Sequence, residues 1–200
     1  MFASVEAFRA AGFAVKKRSK EDKAMIGSHP SVAGFLFKKF NDSVSCGDQG
    51  ANYRTRVAGA DAIRNLIEKH KLDRLTVPRK WVVELPPAFA ARKRCPELLV
   101  VDRLDLVGVP ESKRRYKAID PTTLEQLCRV LYAFSGFDSA VHNLMFTTSG
   151  QIAFFDTESW NKSPRPMKRT FRYLFEEFTK DSRKTVERLF ARFDDEEKHG

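Results

Sequence analysis

The chain has 200 residues, 42% of them hydrophobic, and 36 Lys and Arg against 26 Asp and Glu give a formal net charge of +10. That is enough apolar matter for one compact domain, or for two small lobes sharing one cleft, and no run of about 18 apolar residues exists to span a membrane. Three Cys, at positions 46, 95 and 128, are odd in number and far apart, which excludes a disulfide framework or a thiolate metal site and points to a reducing, cytoplasmic compartment.

The N-terminus, Met1 to Phe8, lacks a basic start and a continuous apolar core, so it is not a secretory signal. It reads as a short amphipathic helix with Phe2, Val5 and Phe8 on one side, ending near Gly12. Gly34 to Phe40 alternates as a strand, with Leu36 and Lys38 on one face. Arg56 to Lys71 reads as a helix with Ile63, Leu66 and Ile67 on one side and Ala60 nearby. Val77-Pro78 then leads into a strand, Trp81 to Leu85. Glu97 to Leu106 is a second, buried strand that runs out into polar residues.

Thr122 to Phe134 has apolar residues at Leu124, Leu127, Val130, Leu131 and Phe134, an amphipathic helix pattern that also takes in Cys128 as core. Asp120 supplies its N-cap and Pro121 its first position. Ser135-Gly136 ends it. A loop from Phe137 to Asn143 enters a short strand, Leu144 to Phe146. Thr147 to Gly150 is a hairpin turn in which Gly150 takes φ > 0, and Gln151 to Phe155 returns. Ser163 to Pro166 breaks the chain. Met167 to Phe178 reads as a helix with Phe171, Leu174, Phe175 and Phe178 in register. Ser182 caps a last helix with Val186, Leu189, Phe190 and Phe193 on its apolar face, and Asp194 to Glu197 reads as a frayed tail.

The chemistry sits around the hairpin. Asn143 follows Asp138 by five residues, and Asp156 follows Asn143 by thirteen, at the end of the run Ile152-Ala153-Phe154-Phe155. A hairpin brings its two ends together, so Asn143 and Asp156 can reach one cation. Mg²⁺ favours one or two carboxylates plus phosphate and water oxygens over an all-protein cage, and two side chains from one hairpin suit that need. Asp and Asn are also ordinary turn residues; the paired spacing, the Gly turn and the Asp at the strand end are what point beyond a plain hairpin.

This arrangement resembles phosphotransferases of the protein-kinase-like superfamily. The resemblance implies a compact, two-lobed α+β fold with a shortened C-lobe: an N-lobe over about 14–101, a hinge over about 102–107 and a C-lobe over about 108–200. It implies that Asp138 takes the proton of an acceptor hydroxyl and that Asn143 and Asp156 hold Mg²⁺. Gly34 to Phe40 is similar to the strand whose Lys contacts the α and β phosphates of ATP, which selects Lys38 over Lys39. The backbone of Val101, Asp102 and Arg103 would face the adenine edge and Asp105 the ribose. In such enzymes a helix acid pairs with the strand Lys. Asp61 and Glu68 are the acids of the helix here, and both project away from Ile63 and Ile67.

Two departures stand. No glycine-rich phosphate loop precedes Lys38; only Ile26 to Pro30 offers backbone N–H groups there. The segment Asp156-Thr157-Glu158 is similar to aminoglycoside- and choline-kinase-like enzymes more than to ordinary protein kinases, and Glu158 adds a candidate metal carboxylate. The ordered motifs Ser28-His29-Pro30, Arg56, Gly59-Ala60, Ile63, Val77-Pro78 and Lys80-Trp81, with those above, also resemble small atypical kinase-like proteins of host-associated bacteria, and delivery into a host cell follows from that resemblance alone. Only 44 residues follow Asp156, so the protein or small-molecule acceptor cannot be carried over.

The expected activity is therefore transfer of the ATP γ-phosphoryl group to a hydroxyl. The alternative is a kinase-shaped pseudoenzyme or binding module that uses a basic surface to grip an acidic partner; nucleotidyl transfer to protein, which needs the same metal site, is a third. Its basic runs are Lys16-Lys17-Arg18, Arg92-Lys93-Arg94, Lys113-Arg114-Arg115 and Lys168-Arg169. They are short, scattered and without an aromatic RNA-binding motif, which weighs against nucleic acid as the ligand. The four His, at 29, 70, 142 and 199, form no metal cluster, and His142 lies beside the proposed site.

Overall fold

The structure is a computed structural model that describes residues 5–16, 24–40, 49–85, 97–134, 136–158, 171 and 173–199. The expected positions Phe2, Cys46, Cys95 and Ser163 to Pro166, and the basic runs at 17–18, 92–94 and 168–169, lie outside them. The architecture is mixed α/β, and the chain divides into two compact units. One comprises residues 1–58 and 78–103, the other 59–77 and 104–200.

The first unit is built on a five-stranded antiparallel sheet in the order β1-β2-β3-β6-β5. Its strands are β1 (Ala14–Lys16), β2 (Ala24–Ser28), β3 (Phe35–Phe40), β5 (Lys80–Glu84) and β6 (Glu97–Asp102). β2 takes in Ile26 to Ser28 of the segment that stands where a phosphate loop would, and Gly27 is one of its residues. A Cβ there would come within 3.0 Å of the Phe8 ring, which is why a residue without a side chain fits. Phe8 is fully buried on α1 (Val5–Ala10). It packs with Met25, Leu85 and Leu98, and with Phe37 and Val100 beside them.

The opposite face of the sheet is covered by the start of α2 (Gln49–Lys69). Tyr53 and Leu99 are buried there, with Val57, Val82 and Val101 against them. Successive strand residues point to opposite faces. The run Leu98-Leu99-Val100-Val101 therefore feeds both clusters, which explains why it is continuously apolar rather than alternating.

The second unit holds the rest of α2, a three-stranded sheet in the order β4-β8-β7, and helices α3 (Val109–Lys117), α4 (Pro121–Ala133) and α5 (Lys180–His199). Residues 59–77 belong here, although the sequence places them with the N-terminal region. β4 (Leu75–Thr76) is the reason: it pairs in parallel with β8 (Ile152–Phe154), while β7 (Leu144–Phe146) pairs antiparallel on the other side of β8. Asp120 caps α4 through the Thr123 N–H at 2.9 Å, as expected, and Leu124, Leu127, Val130 and Leu131 are buried. Cys128 is core, and burial pushes its thiol pKa up.

Three expectations near the C-terminus change. Around Phe171, Leu174 and Phe178, all buried, the described residues form turns and a 3₁₀ helix over Phe175–Glu177 instead of a continuous α-helix. Thr179, not Ser182, caps α5: its Oγ accepts from the Ser182 N–H at 3.2 Å. The acidic tail is helical as far as His199. The Tyr132 hydroxyl lies 2.9 Å from Asp194 and 3.0 Å from Glu197, and Arg192 reaches Glu196 at 3.3 Å, which ties the last turns down.

Among the described residues no helix is long and apolar enough to cross a membrane.

Candidate functional site

The β7–β8 hairpin is the centre of the second unit. Its turn is closed by Gly150, whose φ of 93° only a residue without a Cβ adopts readily. The register runs Leu144 to Phe154, Met145 to Ala153 and Phe146 to Ile152. One step further out, the Phe155 N–H donates to the Asn143 carbonyl at 2.9 Å. Asn143 and Phe155 are therefore opposite each other, and Asp156 is the next residue at the same open end.

The preceding loop is folded onto that end. Phe137 is buried and meets Phe154 edge-on, with centroids 5.4 Å apart. Asp138 follows, exposed, and its Oδ1 accepts from the Ala140 N–H at 3.2 Å. The Asn143 N–H donates to the Ala140 carbonyl at 2.8 Å, and the Asn143 Nδ2 donates to the Asp138 carbonyl at 3.3 Å. Asn143 is 7% exposed. With its amide nitrogen held by Asp138, its oxygen is turned the other way. Ser139 is buried, and its Oγ has no hydrogen-bond partner among the described residues. His142 is exposed on the one-turn 3₁₀ helix Val141–Asn143.

Asp138, Asn143 and Asp156 are thus brought to one end of one hairpin, with Thr157 fully buried after them and Glu158 half-buried. Asn143 and Asp156 offer oxygen donors only, the kind Mg²⁺ takes, and too few to enclose it without water or phosphate. Among the described residues no three His, Cys, Asp or Glu cluster into a metal cage.

The outer edge of β7 is met by α3, a helix the sequence reading passed over. The Tyr116 hydroxyl donates to the Leu144 carbonyl at 2.8 Å, the Phe146 N–H donates to Ser112 Oγ at 3.1 Å, and Arg115 donates to the Thr147 carbonyl at 3.3 Å. Tyr116 is fully buried, which raises its hydroxyl pKa well above the usual tyrosine value. Gly108 before the helix, Pro110 in its first turn, Glu111 near the start and Arg114, Arg115 and Lys117 near the end were the available signal. The run Lys113-Arg114-Arg115 is matched by acids: Glu111 receives both arginines and Glu177 pairs with Lys113.

The segment before α3 lies along the same hairpin. The Thr148 N–H donates to the Asp105 carbonyl at 2.9 Å, Leu106 bridges Thr147, and the Val107 N–H donates to the Phe146 carbonyl at 3.1 Å. The Asp105 side chain is exposed.

In the first unit, β3 divides its two lysines. Lys38 pairs with Leu99 and so shares the face that α2 covers, together with Leu36 opposite Val101. Lys39 points to the other face and is 2% exposed, whereas Lys38 is half-buried. Lys80 is buried opposite Val101, and Arg56 is buried on α2, where its Nε donates to Asn52 at 2.9 Å. The stretch of α2 in this unit has no acid. Asp61 and Glu68 lie in the other unit's part of the helix; both are exposed, and Asp61 meets Arg64 at 2.6 Å.

Val101 is paired on both sides, with Leu36 and Lys80. The Asp102 N–H donates to the Arg79 carbonyl and the Arg103 N–H to the Gly34 carbonyl, while the Asp102 carboxylate takes Arg79 at 2.7 Å. Those backbone donors therefore already have protein acceptors.

No protein-family model matches the chain, and no curated protein sequence matches it. Solved structures with a similar chain trace include a co-crystal of WbdD with a kinase inhibitor, at TM-score 0.45 and 16% identity over 82% of this chain and 36% of that one. A second WbdD structure gives TM-score 0.43 and 12% identity over 80% and 35%. A MAP kinase of Leishmania major gives TM-score 0.37 and 15% identity over 77% and 49%. The chain thus spans between about a third and a half of these neighbours' length. At such TM-scores the reading of the site rests on this chain's own residues.

Proposed function

We propose that the protein is a kinase-like phosphotransferase that moves the γ-phosphoryl group of ATP to a hydroxyl of a protein or small molecule. The observation that supports this is the hairpin end, where Phe155, the residue before Asp156, donates its N–H to the Asn143 carbonyl, and the Asn143 amide in turn donates to the Asp138 carbonyl.

In this reading Asn143 and Asp156 hold Mg²⁺, with Glu158 as a further carboxylate. The metal, when bound, neutralises charge that develops on the transferring phosphoryl oxygens. Asp138 is an exposed carboxylate on a loop fixed at both ends. It orients the acceptor hydroxyl and takes its proton as the new O–P bond forms and the bond from the γ-phosphorus to the bridging oxygen breaks, with ADP leaving. Lys38 holds the α and β phosphates. For the base and ribose, Asp105 remains the candidate side chain of the connecting segment. Val101, Asp102 and Arg103 would contribute there through carbonyls and side chains, since their N–H groups are already paired. The residues mainly position reactants and supply fixed charge.

A second reading, a kinase-shaped pseudoenzyme that binds an acidic partner, is favoured by one observation: the part of α2 in the first unit carries arginines and no Asp or Glu. Parallel incubation with γ-labelled and α-labelled ATP separates the readings. Transfer of γ label alone supports the kinase. Transfer of α label means nucleotidyl transfer. No transfer from either, with binding of ATP or an acidic partner retained, supports the pseudoenzyme.

A further inference from the structure

A strand edge can be covered by apolar side chains only if its outward backbone groups find partners. β7 is the edge strand of its sheet; the Val107 N–H supplies a backbone partner at the Phe146 carbonyl, and α3 supplies the others through side chains: Tyr116 at Leu144, Ser112 at the Phe146 N–H and Arg115 at Thr147. The Tyr116 bond carries more than packing. Leu144 directly follows Asn143, and its carbonyl belongs to the peptide plane one residue beyond the proposed metal ligand.

We infer that Tyr116, with Ser112 behind it, is a positioning residue for the metal site, fixing the Asn143 side chain through the β7 backbone. The inference rests on the phosphotransfer reading. It adds a polar link between α3 and the hairpin end that the motif Asp138 to Asp156 does not contain.

Three features support it. The Tyr116 ring is wedged between Phe146, with centroids 5.0 Å apart, and Phe178, at 5.9 Å, so the hydroxyl is aimed rather than free to swing. Tyr116 and Ser112 are both fully buried, so water does not compete for their partners. The Asn143 backbone is fixed on its other sides by Ala140 and Phe155. The strand position at Leu144 is then what completes the alignment of the amide. Groups that orient a metal ligand from behind typically change metal affinity by roughly 10- to 100-fold when removed.

The test is Mg²⁺-dependent ATP binding followed by titration calorimetry, well below each variant's melting temperature. Tyr116→Phe removes one oxygen and leaves the ring. It should raise the Mg²⁺ concentration needed for half-maximal ATP binding by roughly 10-fold, with ATP affinity at saturating Mg²⁺ close to that of the native chain. Ser112→Ala, two residues further from Asn143 along β7, should shift it in the same direction but less. Val186→Ala, a fully buried core position on α5, should lose stability with no shift in the Mg²⁺ midpoint. A Tyr116→Phe midpoint equal to the native one, or an equal shift in Val186→Ala, overturns the positioning role while leaving the phosphotransfer reading intact. Absence of any Mg²⁺-dependent ATP binding by the native chain would instead overturn the reading on which it rests.

Discussion

Replacing Asp138 by Asn separates chemistry from binding with the least disturbance to the fold. The side chain is exposed, and among the described residues its Oδ1 accepts from the Ala140 N–H at 3.2 Å. An Asn oxygen accepts the same bond. The carbonyl that holds the Asn143 amide belongs to the backbone and is untouched. Stability should therefore change by no more than about 0.5 kcal/mol, as for an ordinary surface substitution, or about 1–2 °C in melting temperature for a chain of this size. Asn143, Asp156 and Lys38 remain, so Mg·ATP affinity should stay close to that of the native chain. What is lost is the carboxylate that takes the acceptor proton. General-base help is worth about 10² to 10⁴ in rate, or about 2.7–5.4 kcal/mol of barrier at 1.36 kcal/mol per decade. The assay is transfer of γ label to acceptor or to the protein itself, beside calorimetric titration with Mg·ATP and a thermal melt. Asp156→Asn serves as the contrast, because it weakens a metal ligand and should lower Mg·ATP affinity as well. Transfer by Asp138→Asn within about tenfold of the native rate, or a loss of ATP affinity equal to that of Asp156→Asn, would refute the assigned roles.

Lys38→Met should lose ATP affinity and Lys39→Met should keep it, because alternation places the two on opposite faces of the sheet; a larger loss for Lys39→Met in nucleotide titration would reverse the assignment. Ser139→Ala removes a buried hydroxyl that has no partner among the described residues and should stabilise the chain by about 1 kcal/mol, read as a higher denaturant midpoint; clear destabilisation would mean that the hydroxyl holds a bound water. The Arg114 and Arg115 hydrogen bonds hold the Glu111 pKa down to about 2, from the 4.5 usual for a glutamate. Its stabilising contribution is thus complete above the unfolded value and fades as pH falls through the folded one. Glu111→Gln should remove that part of the acid sensitivity between about pH 4.5 and pH 2, and acid unfolding curves that superimpose in that window would show that the pair contributes nothing.

The sequence by itself determined the parts governed by short-range rules. Asp120 and Pro121 specify the start of α4 because a side-chain acceptor and a missing N–H are both local requirements. Gly150 between two apolar runs specifies the hairpin because few other residues tolerate its φ. With the hairpin placed, Asn143 and Asp156 fall at the same open end of it, because Phe155 pairs with Asn143. Alternation in β3 likewise separated Lys38 from Lys39 before any contact was known.

Only the tertiary structure decided what depends on distant partners. β4 is two residues long, too short for any periodic signal, and exists because Ile152 and Ala153 lie beside it; that pairing carries residues 59–77 into the second unit. α3 hides in a charged run, and the value of Tyr116 appears only when β7 presents a bare carbonyl to it. The expected fraying of Asp194 to Glu197 ignored Tyr132 and Arg192, whose hydrogen bonds hold those turns. The buried Lys39, Lys80 and Arg56 gave no warning in a chain of net charge +10, since local pattern records a residue's charge but not the neighbours that make its burial tolerable.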